Sequence, residues 1–185
     1  VARTSTSLPR LRILLCAHKD PIHPATYCET ALRRSHDVIT AGRGQELDLG
    51  AGATARDLVE AVGGKVDLLL AIEGATYLPG ELEEAPCRTA FWAIDNHLRA
   101  TKGDGSHFQV ARAFDHVFCA QRDFVAAFRQ RGLAAGWLPN ACDPDVHRQA
   151  PGHRDLDVLF VGHVRPFHAR RRALLDRLLS RFRVE

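Results

Sequence analysis

A repeated change of period constrains this chain more than any other feature. Short, almost continuous apolar runs alternate with stretches whose apolar residues recur at helical spacing. The runs are LRILLCAH (11–18), HDVITA (36–41), VDLLLAIEG (66–74), RTAFWAID (88–95), HVFCAQ (116–121) and AAGWLP (134–139). Runs of this length without alternation suit strands covered on both faces. Between them, Pro24 suits the first turn of a helix whose Tyr27, Cys28, Ala31 and Leu32 share a face. Thr54 and Asp57 have capping-box spacing ahead of Leu58, Val59 and Val62, and Gly63 and Gly64 end that helix. A third helix turns Phe124, Val125 and Phe128 inward and stops at Gly132. Strands and helices in this order predict an α/β fold: a doubly wound, parallel, Rossmann-like sheet.

The domain expectations follow. Residues 1–10 read as a disordered tail and 11–140 as the Rossmann-like domain. The polar, Pro-bearing stretch 141–155 reads as a linker, and 156–185 as the first strand and helix of a second, incomplete Rossmann-like unit. In that last piece LDVLFVGHV (156–164) has strand character, and Leu174, Leu175, Leu178, Leu179 and Phe182 form a stripe expected to be buried. The chain has no Met, even at position 1, which fits either an alternative start codon or a fragment.

Charge excludes little. The net charge is +3, so nothing demands nucleic acid on global electrostatics, and no RNA-binding signature occurs. Twenty-two of the 25 basic residues are Arg, and seven of these lie between Arg165 and Arg183. That concentration suits a local anion site, since the guanidinium fork matches phosphate. A GC-rich coding sequence favours Arg equally. Five cysteines without CxxC spacing suit reduced thiols in a cytoplasmic protein better than a disulfide framework. The first ten residues lack the apolar core of a secretion signal, and no run approaches the ~20 apolar residues that span a bilayer.

In an open parallel sheet, ligands bind beyond the carboxyl ends of the strands. The polar residues expected at that rim are His18, Lys19, Asp20 and His23 after the first strand, and Glu73 and Tyr77 after the third. Asp95, Asn96 and His97 follow the fourth, Gln121 the fifth, and Asn140 and Asp143 the sixth. His18 is placed to act as general base, with Asp95 orienting it. Glu73 stands out, because a carboxylate ending so apolar a run costs stability unless solvated or paired. The bland reading of each is an ordinary loop residue. No dinucleotide fingerprint, Walker loop, nucleophile elbow or zinc spacing is present, so no metal or cofactor is expected. Near the end, Gly162 precedes a helix whose first turn carries Arg170, Arg171 and Arg172. With Arg165 they suit a diphosphate at a helix N-terminus, or form a solvated face.

Taken in order, ILLCAHKDPIHPATYCETALRRSHDVIT, DLLLAIEGATYLPGELEEAPCRTAFWAIDNH, FDHVFCAQRDFVAAFRQRG and WLPNACDPDVHR resemble the amino-terminal half of CgeB-like (spore-maturation-type) glycosyltransferases. DVLFVGHVRPFHARRRALLDRL resembles the opening of their second half. The resemblance implies a GT-B arrangement that transfers a sugar from a nucleotide-sugar donor to an acceptor without a bound metal. Carried over by position, it puts His18, Glu73, Asp95 and His97 on the acceptor side; the reading of the rim makes His18 and Asp95 the catalytic candidates and adds His23, Tyr77 and Asn140 as substrate-binding ones. The resemblance puts Arg165 and Arg170 on the donor diphosphate, where the reading of the loop before the last helix adds Gly162. The family usually has Gly before the His of the second strand. Ser35 stands there in this chain, which predicts a strained left-handed turn. A non-catalytic glycan- or partner-binding module is the alternative. A receiver-like signalling domain is weakened by the lack of an acidic pair after the first strand.

Overall fold

A computed structural model of the chain describes residues 9–17, 23–48, 50, 52–73, 78–96, 106–148, 152, 156–166 and 168–184. The tail expected at 1–10 and the rim residues His18, Tyr77 and His97 lie largely or wholly outside them. Six strands form: β1 Arg12–Ala17, β2 Asp37–Ala41, β3 Leu68–Ile72, β4 Arg88–Ala93, β5 His116–Cys119 and β6 Ala135–Trp137. All pair in parallel, in the order β2-β1-β3-β4-β5-β6. The α/β reading of the sequence therefore holds, and each of the six apolar runs is a strand.

Alternation along the strands divides the core between two faces. Leu14, Cys16, Leu69, Ala71, Phe91, Ala93, Val117 and Cys119 point to one face. There they meet Ala55 and Leu58 of α2 (Ala55–Ala61), Phe108 of the single-turn α3 (His107–Val110), and Val125 and Phe128 of α4 (Phe124–Arg129). Ile13, Leu15, Ala17, Ile72, Trp92 and Ile94 point the other way, against α1 (Pro24–Arg33). The buried side of α1 differs from the expected one. Ala25, Cys28 and Leu32 pack on the sheet, while Tyr27 and Ala31 are exposed. The helix is rotated so that its small residues meet the strands, which lets it lie close to the sheet.

Local signals read from the sequence are present in the backbone. Pro24 occupies the first turn of α1. Thr54 Oγ1 accepts the Asp57 N–H at 3.1 Å and the Asp57 carboxylate accepts the Thr54 N–H at 2.9 Å, closing the capping box. Gly63, Gly64 and Gly132 have φ of +86°, +75° and +78° after α2 and α4. The strain expected at Ser35 does not occur. The chain leaves α1 in ordinary helical geometry at Arg34, and the Ser35 and His36 N–H groups both return to Leu32 O. His36 Nδ1 then accepts the Leu11 N–H at 3.3 Å, tying the turn to the start of the sheet.

The chain divides into two units, Val1–Asp143 and Pro144–Glu185. The first contains the sheet, and the segment after β6 is anchored within it. Arg34 Nη2 reaches both carboxylate oxygens of Asp143, at 3.1 and 2.9 Å, and the Asp143 side chain is buried. In the second unit, helix α5 (Ala169–Leu179) forms as expected, but the strand expected over 156–164 does not. Its pairing is reduced to one parallel bridge between Val158 and Val184. The stripe expected to be buried is not buried either. No residue of α5 is buried, and Leu174, Leu179 and Phe182 are exposed, as are Leu159 and Val161. One bridged pair offers no sheet face for that stripe to cover.

Candidate functional site

The strand order reverses between β1 and β3, since the chain runs outward to β2 and then returns to the other side of β1. A reversal of this kind is where open parallel sheets take ligands, beyond the carboxyl ends of the strands. The first described contact at that edge is internal: the Gln45 side-chain amide donates to Ala17 O, the last carbonyl of β1. Nearby, Glu46 accepts the Thr40 N–H at 2.8 Å and pairs with Arg33 at 2.9 Å. These bonds, led by the Thr40 N–H, hold the Glu46 carboxyl below its ordinary value against the opposing effect of burial.

Glu73 is the most committed residue of the rim. It follows β3 in the left-handed region, with φ of +51°, which is uncommon for a residue with a Cβ. Its own N–H donates to Trp92 O at 3.1 Å. Its Oε1 accepts the N–H groups of Ile94 and Asp95 at 2.6 and 2.5 Å, and its Oε2 lies 3.3 Å from His107 Nε2. Burial alone would raise its pKa, because it disfavours the charged carboxylate. The His107 contact and the two backbone donors outweigh burial and hold the carboxyl below its ordinary range.

His107 continues this network inward. It opens α3 behind the cap Ser106, is 2% exposed, and sits edge-on to Phe91 with ring centroids 5.4 Å apart. Its Nδ1 is 3.0 Å from Asn96 Oδ1. Asn96 Nδ2 donates to Ala93 O at 2.9 Å and to Gln121 Oε1 at 3.0 Å, and Gln121 Oε1 also accepts the Asn96 N–H. Glu73, Asn96, His107 and Gln121 thus tie together the carboxyl ends of β3, β4 and β5. Reading the sequence placed Glu73, Asn96 and Gln121 at the rim but missed His107. The only local signal for it is Ser106, a good helix cap, ahead of an apolar residue.

The other named residues are placed as follows. His23 caps α1, its Nδ1 accepting the Ala25 N–H at 3.2 Å. Asp95 is half-buried at the exit of β4, with its N–H held by Glu73. Asn140 is exposed beyond β6. Asp143, expected from the sequence at the rim, is a buried anchor for Arg34.

In the second unit, Gly162 and Arg165 are exposed ahead of α5, and Arg170 is exposed in its first turn. His168 stands at the cap position without capping a first-turn N–H by its side chain. Arg171 is exposed, with Nη1 2.6 Å from His163 O and its guanidinium 6.0 Å from the Phe160 ring centroid.

A cleft of about 620 Å³ lies at the opposite, amino-terminal edge of β4 and β5, lined by Pro86, Cys87, Arg88, Arg112 and Asp115 among others. Thr89 and Asp115 there exchange two 2.9 Å bonds between backbone and side chain, a structural tie between neighbouring strands. The strand-order reversal and the polar network favour the carboxyl rim, and chemistry needs the latter.

Among the described residues no cluster of three or more His, Cys, Asp or Glu forms a metal-binding set, and no helix is long and apolar enough to cross a membrane. The five cysteines are free. No protein-family model matches the chain, and no curated protein is similar to it.

Proposed function

We propose that this chain carries the acceptor-side domain of a glycosyltransferase, together with the opening of its donor-side domain. The observation that carries the reading is the reversal of strand order between β1 and β3. Parallel pairing brings the carboxyl ends of β1, β3 and β4 to one edge of the sheet, and the reversal falls at that edge, where a Rossmann-like domain takes its ligand. His18, Glu73, Asp95 and His97 follow those strands in sequence. The segments that resemble CgeB-like glycosyltransferases run through the same loops.

In the proposed reaction an acceptor hydroxyl gives its proton to His18, oriented by Asp95. The acceptor oxygen bonds to the anomeric carbon of the donor, and the bond from that carbon to the diphosphate oxygen breaks. Arg165, Arg170 and the first-turn N–H groups of α5 receive the charge of the departing nucleoside diphosphate. Tyr77, His97, His23 and Asn140 complete the acceptor side. The resemblance implies that this chemistry proceeds without a bound metal.

Calorimetric titration with nucleoside diphosphates and their sugars tests the donor half. Binding that weakens in Arg165→Ala and Arg170→Ala is the expected result, and an absence of binding across the series removes the main support. In an enzyme containing this chain, His18→Ala should lower turnover by roughly 10²–10⁴-fold, and a change within about threefold rejects the base role.

One observation favours a second reading, a non-catalytic glycan- or partner-binding module. Glu73, Asn96, Gln121 and Asp143 are all engaged in internal bonds, which suits a rim built for shape. Glycan binding that is indifferent to nucleotide would select it.

A further inference from the structure

We propose that Glu73 and His107 form a one-proton latch that closes the carboxyl ends of β3, β4 and β5 and opens when the proton between them is lost. This inference stands apart from the transferase reading and concerns only the buried network.

The hydrogen-bond directions follow from groups that have no choice. Ala93 O only accepts, so the Asn96 atom facing it at 2.9 Å is the amide nitrogen. The Asn96 backbone N–H only donates, so the Gln121 atom facing it is the oxygen. That oxygen takes the second Asn96 amide hydrogen at 3.0 Å. Asn96 therefore presents its oxygen to His107, and His107 Nδ1 carries a hydrogen to meet it at 3.0 Å.

The other ring nitrogen is then the variable. His107 Nε2 is buried, 3.3 Å from Glu73 Oε2 and off the direction of a good hydrogen bond, so the contact is mainly Coulombic. Glu73 Oε1 is filled by two donors that cannot reverse, the N–H groups of Ile94 and Asp95. A single proton on either Nε2 or Oε2 makes the contact attractive. With none, a ring lone pair faces a carboxylate oxygen in a buried site, and the two groups repel.

Glu73 then moves away, and the exit of β4 loses the two bonds that hold Ile94 and Asp95. The left-handed backbone at Glu73 favours this release, because it is held against its own preference by those bonds. Among the described residues the titratable groups at this junction are Glu73 after β3, Asp95 after β4 and His107 in α3. β5 is followed by the neutral Gln121, and Phe91 walls the ring, itself stacked on Phe114. His18, Tyr77 and His97 lie outside the described residues.

The test is amide hydrogen exchange on the whole chain, read as protection factors at Ile94 and Asp95, with ¹⁵N shifts of the His107 ring followed over the same pH series. Protection at both amides should fall by about tenfold or more as the ring loses its Nε2 proton, while Leu69 and Phe91 hold steady. Glu73→Gln should abolish the step, since a side-chain amide can accept from Ile94 and Asp95 and donate to a neutral ring. His107→Gln, which donates to Glu73 without titrating, should abolish it too if the first variant does not fold. Flat protection through the titration of His107, or a step that survives in either folded variant, overturns the latch.

Discussion

Glu73 and Glu81 share a backbone conformation that residues with side chains seldom adopt, with φ of +51° and +53°, and they hold it for different reasons. Glu81 is exposed and makes no side-chain capping bond, so nothing described repays its strain. Glu81→Gly should therefore stabilise the fold by up to about 1 kcal/mol in urea titration. Glu73→Gly should instead destabilise it by about 1–3 kcal/mol, because it leaves the Ile94 and Asp95 N–H groups without their acceptor. Stabilisation in both variants would mean that the Glu73 bonds contribute less than its backbone strain. Since the Glu73 carboxyl is held below its ordinary value, its contribution is present above the usual carboxylate range and is lost as pH falls through the lowered value. The cysteines give a second residue-scale test. Burial, with a smaller contribution from Cys87, pushes the Cys16 thiol up to about 12, and burial raises Cys119 to about 11 despite Arg129. A thiol reagent near neutral pH should label the exposed Cys142 first and leave Cys16 and Cys119 unmodified until denaturant is added. Glu73 was conspicuous in the sequence as a carboxylate closing an apolar run. Its partner was not, because nothing in SHF at 106–108 says which strand end the imidazole will meet.

The elements were more legible than the side chains they bring together. Each strand announced itself as an apolar run, because a strand covered on both faces needs no polar residue in its interior. Thr54 and Asp57 marked the start of α2 by chemistry local to four residues. Thr54→Ala should cost about 1 kcal/mol in chemical denaturation, with the loss confined to α2 in exchange measurements. Where elements depend on what lies across from them, the pattern was less informative. Which side of α1 meets the sheet depends on how closely Ala25 and Cys28 let it approach, and periodicity alone favoured Tyr27. Asp143 looked like a rim residue by position, yet Arg34, far back in the chain, claims it. Arg34→Ala should destabilise the first unit by about 1–3 kcal/mol, read from its unfolding midpoint, because it withdraws a partner from a buried carboxylate. The apolar run at 156–164 has the composition of a strand but only one bridged neighbour, which shows that composition licenses a strand and pairing makes one.

At the scale of the whole molecule, the two units differ in kind. The first buries both faces of a six-stranded sheet, whereas no residue of α5 is buried. Amides in α5 should exchange at least about tenfold faster than those of β1 and β3, and protection equal to the sheet would contradict this division. The strand order also governs how the sheet is assembled. β1 is flanked by β2 and β3, and from there β4, β5 and β6 are each laid beside the strand made just before them. A chain emerging from the ribosome amino terminus first thus extends its sheet in the order of synthesis, each strand meeting a template already in place. A longer wait is for Asp143, which cannot join Arg34 until β6 has been made. That pairing marks the moment when the growing sheet is complete.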